Sequence, residues 1–598
     1  MHTQTDVLVV GAGPAGISAA LFLAKLGINA VTITKYPWLA DTPRAHITNQ
    51  RTIEVFRDQG LEAKMKKAAI PQEKMANVCW MKRFNEQEIC RFEAWGGGAA
   101  RRHDYELAGP SSMCNLSQHI MEPIIHQGAV DAGADVRFNK ELIDFTQDDD
   151  GVLATVKDRK TGATETIQAK YMIGADGGNS MIADKLGISF KGQAGLGSAV
   201  TAWIEADLRP YVEQRPSVLY WVVQPGGETW LGTGCYVAVR EWDEWMLLFV
   251  VGIDEDPDLS EARIIAQVRE HAGDPNLKVK LKRTGRWTVN NLVAEKYRKG
   301  RVFIAGDAAH RHPPANGLGT NTSVQDAYNL CWKLAYVLKG FAGESLLDSY
   351  EDERQPIGEQ IVTRAIKSMG NLVPVMESIA KDGVDTKGDI NTDILFSDNE
   401  KGAQRRRELR DALNLQNWHF NALGIEIGQH YFSKAVKTDG QEKKPPTKDP
   451  ELYIEPDTVP GSRLPHVWLM KHGEKVSTHD ITGKGRFVLL TGTGGSEWII
   501  AAQLYSQKTG VPLLAEKIGL GEDNADVFFQ WADVCEIEDG GALIVRPDAH
   551  IAWRCKSLPE DPLKQLTLAM DFVLTRSNKL LSNDVHSLNS SLIESAYK

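Results

Sequence analysis

The sequence contains no long apolar run: no stretch of its 598 residues reaches the roughly 18 consecutive apolar residues that a membrane-spanning helix needs. It also has no surplus of positive charge. The formal net charge is −11, which argues against binding to nucleic acid or to an anionic membrane. A strand pattern that is under way by residue 6 leaves no length for a signal peptide. We therefore expect a cytoplasmic protein.

Cysteines are few as well. Seven are scattered along the chain, and none forms a Cys-x-x-Cys pair. This usage indicates reduced thiols, with neither a metal site nor a redox disulfide. His310 and His312 are closely spaced but have no third ligand nearby in the sequence, so we expect no metal there. The length predicts several domains, and 42% hydrophobic with 25% charged residues is typical of a soluble protein.

The first 27 residues read as strand, glycine turn and helix. Residues 7–10 are apolar, residues 17–26 have helical character, and Gly11-x-Gly13-x-x-Gly16 lies between them. In a dinucleotide-binding fold these glycines permit a tight turn and the close approach of a pyrophosphate to the helix N-terminus. The second strand, residues 30–34, ends at Thr34 and Lys35 where an acidic ribose ligand is usual, so this part of the fingerprint is weaker.

Further along, the pattern predicts alternating strands and helices. We expect helices at 53–61, 117–132 and 321–338, and strands at 135–138, 151–156, 171–177 and 301–310. Residues 79–112 are expected to be irregular, with a mobile loop at 95–98. Strand-like runs between residues 190 and 290 predict a β-rich insert. The charged run 380–412, which includes Arg405, Arg406 and Arg407, is expected to be a solvated helix face.

Three motifs occur in a fixed order: the glycine turn, Asp176-Gly177, and Gly306-Asp307-Ala308-Ala309-His310. Together they resemble the FAD-dependent aromatic hydroxylases. Longer stretches, including residues 43–52, 307–333, 347–354 and 461–466, resemble the phenol hydroxylase branch of that family, and the resemblance covers nearly the whole chain.

The resemblance implies an α/β fold with three parts. These are a Rossmann-type FAD domain of the p-hydroxybenzoate hydroxylase kind, a β-rich substrate domain and a thioredoxin-like C-terminal domain. The implied boundaries are 1–75, 113–185 and 290–375 for the FAD domain, 76–112 and 186–289 for the substrate domain, 376–436 for a helical segment, 437–462 for a linker and 463–598 for the C-terminal domain. Without a Cys-x-x-Cys the last domain should pack or dimerise and do no redox chemistry.

The implied activity is NAD(P)H-dependent hydroxylation of a substituted phenol, such as a chlorophenol, ortho to its hydroxyl, through a flavin C4a-hydroperoxide. FAD, NADH or NADPH, O2 and the phenol are the implied partners, and a homodimer or higher homo-oligomer fits the family. The run after Gly177 lacks the arginine frequent in the family, so the choice between NADH and NADPH stays open. Expected FAD-binding residues are Gly11, Gly13, Pro14, Ala15, Gly16, Thr34, Lys35, Arg44, Gln118, Asp176, Gly177, Gly306, Asp307, Pro314, Gly317, Leu318, Gly319, Thr320 and Asn321.

The resemblance implies that His46 is the catalytic base, whereas the residues alone favour a histidine that caps the adjacent turn. The pKa of a phenol is about 10 and that of a histidine is about 6.5, so a neutral histidine is available to accept the phenol proton at neutral pH. The resemblance places Asn115 and Arg240 near the substrate. Asn115 stands where an aspartate is expected, and Arg240 either stabilises a phenolate or is a surface arginine.

Three other functions remain open from the sequence. A same-fold FAD oxygenase, oxidase or reductase would act on a larger aromatic or polycyclic substrate. A non-catalytic flavin-binding regulator would bind FAD but consume no NAD(P)H. A plain NAD dehydrogenase would be colourless, and the Gly306-Asp307 motif argues against it. Six aromatic residues of the insert either line the substrate or fill the sheet: Trp203, Tyr220, Trp221, Trp230, Trp245 and Phe249.

Overall fold

A computed structural model of the chain describes residues 2–224, 233–386 and 388–576; Trp230 lies outside these ranges. In chain order the strands of the described residues are β1 (His2–Val10), β2 (Ala30–Ile33), β3 (Ile47–Thr48), β4 (Ile70–Pro71), β5 (Asn77–Met81), β6 (Glu88–Glu93), β7 (Cys114–Asn115), β8 (Asp135–Arg137), β9 (Lys140–Gln147), β10 (Val152–Asp158), β11 (Thr164–Gly174), β12 (Phe190–Glu205), β13 (Leu219–Val223), β14 (Thr233–Arg240), β15 (Glu244–Val251), β16 (Lys280–Ala294), β17 (Arg298–Lys299), β18 (Val302–Ile304), β19 (His310–Arg311), β20 (Trp468–Lys471), β21 (Glu474–Ser477), β22 (Phe487–Thr491), β23 (Leu513–Lys517), β24 (Ala542–Val545) and β25 (Ile551–Cys555).

The α-helices of the same residues are α1 (Pro14–Lys25), α2 (Gln50–Asp58), α3 (Glu62–Ala68), α4 (Arg102–Ala108), α5 (Gln118–Asp131), α6 (Met181–Leu186), α7 (Arg209–Val212), α8 (Glu261–Ala272), α9 (Leu318–Leu338), α10 (Ser349–Ala380), α11 (Asp393–Phe396), α12 (Glu400–Asn414), α13 (Asn417–Phe420), α14 (Leu423–Ile427), α15 (Thr478–Ile481), α16 (Ser496–Thr509), α17 (Gln530–Val534) and α18 (Pro562–Val573). None of them is long and apolar enough to cross a bilayer, as far as the described residues extend.

The first sheet brings the three motifs to one edge. Its strands lie in the order β17-β18-β11-β1-β2-β8, with β10 and β9 added antiparallel beside β11, and β18, β11, β1, β2 and β8 run parallel. Val10, Gly174 and Ile304 are the last residues of three neighbouring strands and pair side by side. Because each motif follows one of these ends, all three meet at the carboxyl edge of the sheet, where open α/β sheets bind ligands.

The second sheet contains the β-rich insert and corrects one expectation. Its order is β19-β16-β12-β15-β14-β13-β5-β6, and β5 and β6 come from the stretch expected to be irregular. Residues 79–112 are therefore wrongly assigned as irregular, because they hold these strands and α4. Residues 90–93 alternate between apolar and polar side chains, a period-2 signal that covers the second half of β6.

The loop at 95–98 is packed against the rest of the protein. Trp95 is buried, its amide donates to the carbonyl of Phe420 (2.8 Å), and the Gly96 amide donates to Asn421 Oδ1 (3.0 Å). The loop that was expected to be mobile is therefore held in place by these two hydrogen bonds.

The three arginines at 405–407 in the charged run differ in burial. Arg406 and Arg407 are exposed, as a solvated face requires. Arg405 is buried, and it binds Glu408 (2.8 Å), Asp382 (3.3 Å) and the carbonyl of Ser378 (2.6 Å). The solvated-face interpretation is wrong for Arg405. Its helix α12 packs on α10, which itself runs across the expected domain boundary at 375/376.

The C-terminal sheet has the order β23-β22-β24-β25, with β22 parallel to β23 and antiparallel to β24. Apolar residues of α16 and α18 cover one face, and this layer also includes Trp332 and Tyr336 of α9. This is the thioredoxin-like arrangement that the resemblance implies, and it packs directly on the long helix of the FAD domain. Residues 437–460, all described, contain no helix or strand.

Candidate functional site

The Gly11–Gly16 turn is closed on one side and open on the other. Gly11 has φ +108°, and a Cβ atom there would overlap the carbonyl oxygen of Ala175; one at Gly16 would overlap that of Gly11. At Gly13, in contrast, a Cβ would meet no atom within 4 Å. No side chain caps the N-terminus of α1. The free amides and the open face are what a pyrophosphate needs.

The Gly306 turn closes the site from the neighbouring strand. Gly306 has φ +63°, and a Cβ there would lie 3.1 Å from the Ala15 Cβ and 2.9 Å from Ser323 Oγ. The turn is thus held between the starts of α1 and α9. The two glycine motifs, nearly 300 residues apart in sequence, form one continuous surface.

Asp307 and Arg44 present opposite charges on this surface. Both side chains are exposed. The surrounding protein still limits access of bulk water to Asp307 and raises the pKa of its carboxyl, while His310 and Arg44 act in the opposite direction. A carboxylate beside free backbone amides suits the ribityl hydroxyls of FAD, and a neighbouring cation suits its phosphates.

Helix α9 points its N-terminus at the same place. Its first residues, Leu318, Gly319 and Thr320, have no side-chain cap, so their amides and the positive end of the helix dipole remain available for an anionic flavin ring. Asn316, which precedes the helix, has φ +63°, and its Nδ2 donates to the carbonyls of Trp418 (2.7 Å) and His419 (3.0 Å). Asparagine therefore adopts a conformation that glycine usually supplies.

The loop that carries His46 is fastened to α9. The Asn49 amide donates to Asn321 Oδ1 (3.0 Å), and Asn321 Nδ2 donates to the Ile47 carbonyl (2.9 Å). On its other side, the His46 carbonyl accepts from the Leu116 amide (2.6 Å). His46 thus lies between the helix N-terminus and the strand that contains Asn115.

The His46 ring has a defined tautomer. Its Nδ1 lies 2.6 Å from Asn115 Oδ1, and Asn115 Nδ2 donates to the Ala238 carbonyl (2.9 Å). Since the amide nitrogen is bound to a carbonyl, the amide oxygen faces the ring, and Nδ1 must carry the hydrogen. Nε2 then keeps its lone pair. Burial lowers the pKa of His46 to about 4, with the Asn115 hydrogen bond opposing the shift, so His46 is neutral at pH 7.

Asp176 is held by its own turn. Its Oδ1 accepts from Ser180 Oγ (2.6 Å) and its Oδ2 from the Ile182 amide (3.2 Å). Burial raises the pKa of its carboxyl, and these hydrogen bonds oppose the shift. Arg311, which is distant in sequence, lies against Gly178, 3.4 Å from a Cβ placed there. A cation therefore accompanies this turn although the local sequence contains no arginine.

The remaining expected residues differ in placement. Arg240 is 66% exposed and paired with Glu244 (2.8 Å), which places its charge at the surface, two residues after Ala238. Gln118 is buried and donates to Glu122 (2.7 Å). Thr34 is buried and Lys35 exposed. His310 binds Asp326 (2.8 Å) and His312 the Pro313 carbonyl (2.6 Å).

The aromatic residues of the insert lie on two faces of the second sheet. Tyr220, Trp245 and Phe249 are buried, and they share their face with Tyr236, which binds His271 of α8 (3.0 Å). Trp203 and Trp221 are only partly buried and lie on the other face. The first three fill the core, whereas the two tryptophans remain candidates for contact with a ligand.

These features define a protein that binds a flavin dinucleotide at the carboxyl edge of a parallel sheet. Family models agree: residues 4–365 match the FAD binding domain and residues 457–576 the C-terminal domain of aromatic-ring hydroxylases. The chain is 43% identical to the 2,4-dichlorophenol 6-monooxygenase of Delftia acidovorans, over 96% of this chain and 98% of that one. It is 42% identical to the phenol 2-monooxygenase of a Pseudomonas species (strain EST1001), over 94% and 91%.

A solved structure is similar over the same length. The flavin-dependent monooxygenase PieE, in complex with FAD and substrate, is 41% identical with a TM-score of 0.92, covering 96% of this chain and 99% of that one. The chain belongs to the FAD-dependent aromatic-ring hydroxylases. It is a flavoprotein monooxygenase that uses FAD with NAD(P)H as the reductant.

Proposed function

We propose that the protein hydroxylates a substituted phenol at the ortho position to give a catechol, with His46 as the base. The observation that carries the proposal is the neutral His46 ring, oriented by Asn115 and placed beside the N-terminus of α9. The similarity to a dichlorophenol monooxygenase and a phenol monooxygenase supports a phenolic substrate.

His46 has the right proton state for this task. With Nδ1 bound to Asn115, its Nε2 is free to accept the phenol hydroxyl hydrogen. Because the pKa of His46 is about 4 and that of a phenol is about 10, His46 does not deprotonate the phenol before the ring is attacked. The hydroxyl becomes much more acidic as the ring is attacked, however, and His46 accepts the proton at that point. Bound FAD, reduced by NAD(P)H, would supply the two electrons that O2 needs, and O2 would supply the oxygen atom that the ring receives, with the other atom leaving as water.

The proposed substrate wall is the face of the second sheet opposite the one that carries Tyr220, Trp245 and Phe249. Trp203 and Trp221 lie on it, and the Ala238 carbonyl that orients Asn115 belongs to the same sheet. Apolar ring substituents would contact this wall. A difference of one methylene in such a pocket is worth only about 1–3 kcal/mol, so substrate ranking requires a panel of compounds.

The test is steady-state consumption of NADH and NADPH by the yellow holoenzyme with a panel of phenols, together with catechol formation. The proposal predicts that a chlorophenol or related phenol stimulates consumption and yields about one catechol per NAD(P)H. Consumption that yields only peroxide would instead favour the larger aromatic substrate. FAD binding without stimulated consumption would favour the regulatory alternative.

The cellular and assembly states are further parts of the proposal. We propose a cytoplasmic homodimer, which the net charge of −11 and the resemblance to the phenol hydroxylase branch support. Light scattering after size-exclusion chromatography should give twice the chain mass of 66.1 kDa. A monomer at micromolar concentration would contradict the dimer.

A further inference from the structure

A fully buried cluster of charges joins the C-terminal domain to the FAD domain. The Glu353 cluster comprises Lys333, Glu353, Arg546 and Asp548. Arg546 binds both oxygens of Glu353 (2.6 and 2.8 Å) and also Asp548 (2.5 Å), while Lys333 binds Glu353 at 2.7 Å. None of the four side chains is more than 2% exposed, and their formal charges cancel.

A second buried cluster reaches the FAD-binding turn. The Asp326 cluster comprises Gly306, His310, Asp326 and Arg354. Asp326 Oδ2 accepts from the Gly306 amide (3.1 Å) and faces His310 Nε2 (2.8 Å), and Asp326 Oδ1 accepts from Arg354 Nε (2.8 Å). Both charged side chains are 0% exposed. This carboxylate therefore helps to hold the turn from which Asp307 projects.

The two clusters are connected in two ways. Glu353 and Arg354 are consecutive residues of α10, so a shift of one moves the other. Tyr431 also touches both: its hydroxyl accepts from Arg354 Nη1 (2.9 Å), and the Arg546 guanidinium lies over its ring at 5.4 Å. His550 of the C-terminal domain stacks on the same ring at 4.1 Å.

We propose that the C-terminal domain positions the FAD-binding turn Gly306–Asp307 through these clusters. Arg546 fixes Glu353 on α10, the adjacent Arg354 fixes Asp326, and Asp326 holds the Gly306 amide. Removing one partner of a buried, balanced pair leaves an uncompensated charge, so the remaining groups must rearrange. The inference rests on FAD binding and stands independently of the substrate.

The experiment compares FAD dissociation constants of full-length variants. Apoprotein is titrated with FAD, and the urea unfolding of each apoprotein is measured in parallel. Arg546→Met should raise the Kd for FAD about tenfold or more, a typical size for coupling between two sites. Tyr431→Phe, which removes the hydroxyl that Arg354 binds and keeps the ring beside Arg546, should raise it about fivefold.

Arg554→Met is the matched control. Arg554 is also buried in the C-terminal sheet and also binds two carboxylates, Asp439 (2.7 Å) and Glu536 (2.8 Å). Neither partner lies on α9 or α10. This variant should lose comparable stability and change the Kd by less than about twofold.

Three results would overturn the inference. One is a Kd for Arg546→Met within about twofold of that for Arg554→Met at similar unfolding free energy. Should Arg546→Met not fold, Arg546→Lys decides, because it keeps the charge but cannot bind both oxygens of Glu353 as the guanidinium does; an unchanged Kd in that variant refutes the coupling. Because coupling between two sites acts in both directions, bound FAD must also slow amide hydrogen exchange in β24 of the wild type. Exchange at the same rate with and without FAD would contradict the inference.

Discussion

Replacing Asn115 by aspartate should move the acid limb of the reaction by about three pH units. The carboxylate would face His46 Nδ1 in place of an amide oxygen that now lies at 2.6 Å. Two charges centred about 4 Å apart interact by about 4 kcal/mol at an effective dielectric constant of about 20, which is about three pKa units. The pKa of His46 would then rise from about 4 to about 7.

The assay is the pH dependence of kcat/KM with the best phenol. Wild-type enzyme needs neutral His46, so its rate should stay level as the pH falls and decline only near pH 4. In Asn115→Asp the protonated ring has no free lone pair below about pH 7, and the rate should already fall there. The FAD content should not change.

A double variant identifies the titrating group. His46→Gln with Asn115→Asp contains no ring to protonate, so the limb near pH 7 should disappear while the rate remains low at every pH. An acid limb that stays in place in Asn115→Asp, or one that persists in the double variant, would refute the assignment of His46 as the base.

Four further outcomes test the site and the fold. His46→Ala should retain FAD and lose about 10²–10⁴-fold in hydroxylation, most strongly below the pKa of the phenol; an unchanged pH–rate profile would contradict this. Gly11→Ala should lower the unfolding free energy of the apoprotein by about 2–4 kcal/mol in urea. Gly13→Ala should change that free energy by no more than about 0.5 kcal/mol and weaken only FAD binding. Equal losses of stability in the two variants would contradict an open face at Gly13. Asp307→Ala should weaken FAD binding about tenfold or more in a fluorescence titration, and an unchanged Kd would remove its role. Burial lowers the pKa of His419 to about 3, so the ring takes up a proton when the protein unfolds, and the free energy of unfolding decreases as the pH drops below about 6.5. His419→Phe should make this decrease smaller by about 1.4 kcal/mol per pH unit. Urea unfolding midpoints measured from about pH 6 to pH 4 would test this.

The sequence predicted the fold where local signals and topology agree. The turn at Gly11 has a strand before it and a helix after it, and the helix at 321–338 differs from α9 only by its first three residues. The family resemblance of the three motifs implied one FAD site, and the motifs meet in the structure because each follows a strand of one parallel set. These are short-range patterns or consequences of a known topology.

What the sequence did not predict depends on contacts between distant residues. The burial of Arg405 follows from Asp382 and Ser378, which lie on or just beyond α10. The partner of the Asp176 turn is Arg311, more than a hundred residues away. The His46 tautomer is set by the Ala238 carbonyl through Asn115, and nothing in the spacing of these residues indicates that chain.

The most direct test of the central claim is a single turnover with labelled oxygen. The holoenzyme is reduced anaerobically with NAD(P)H, mixed with the best phenol and exposed to ¹⁸O2, and the product is analysed by mass spectrometry. The account predicts a catechol with one ¹⁸O atom, adjacent to the original hydroxyl, in an amount close to that of the flavin. Peroxide in that amount with the phenol unchanged, for every phenol that binds, would contradict it.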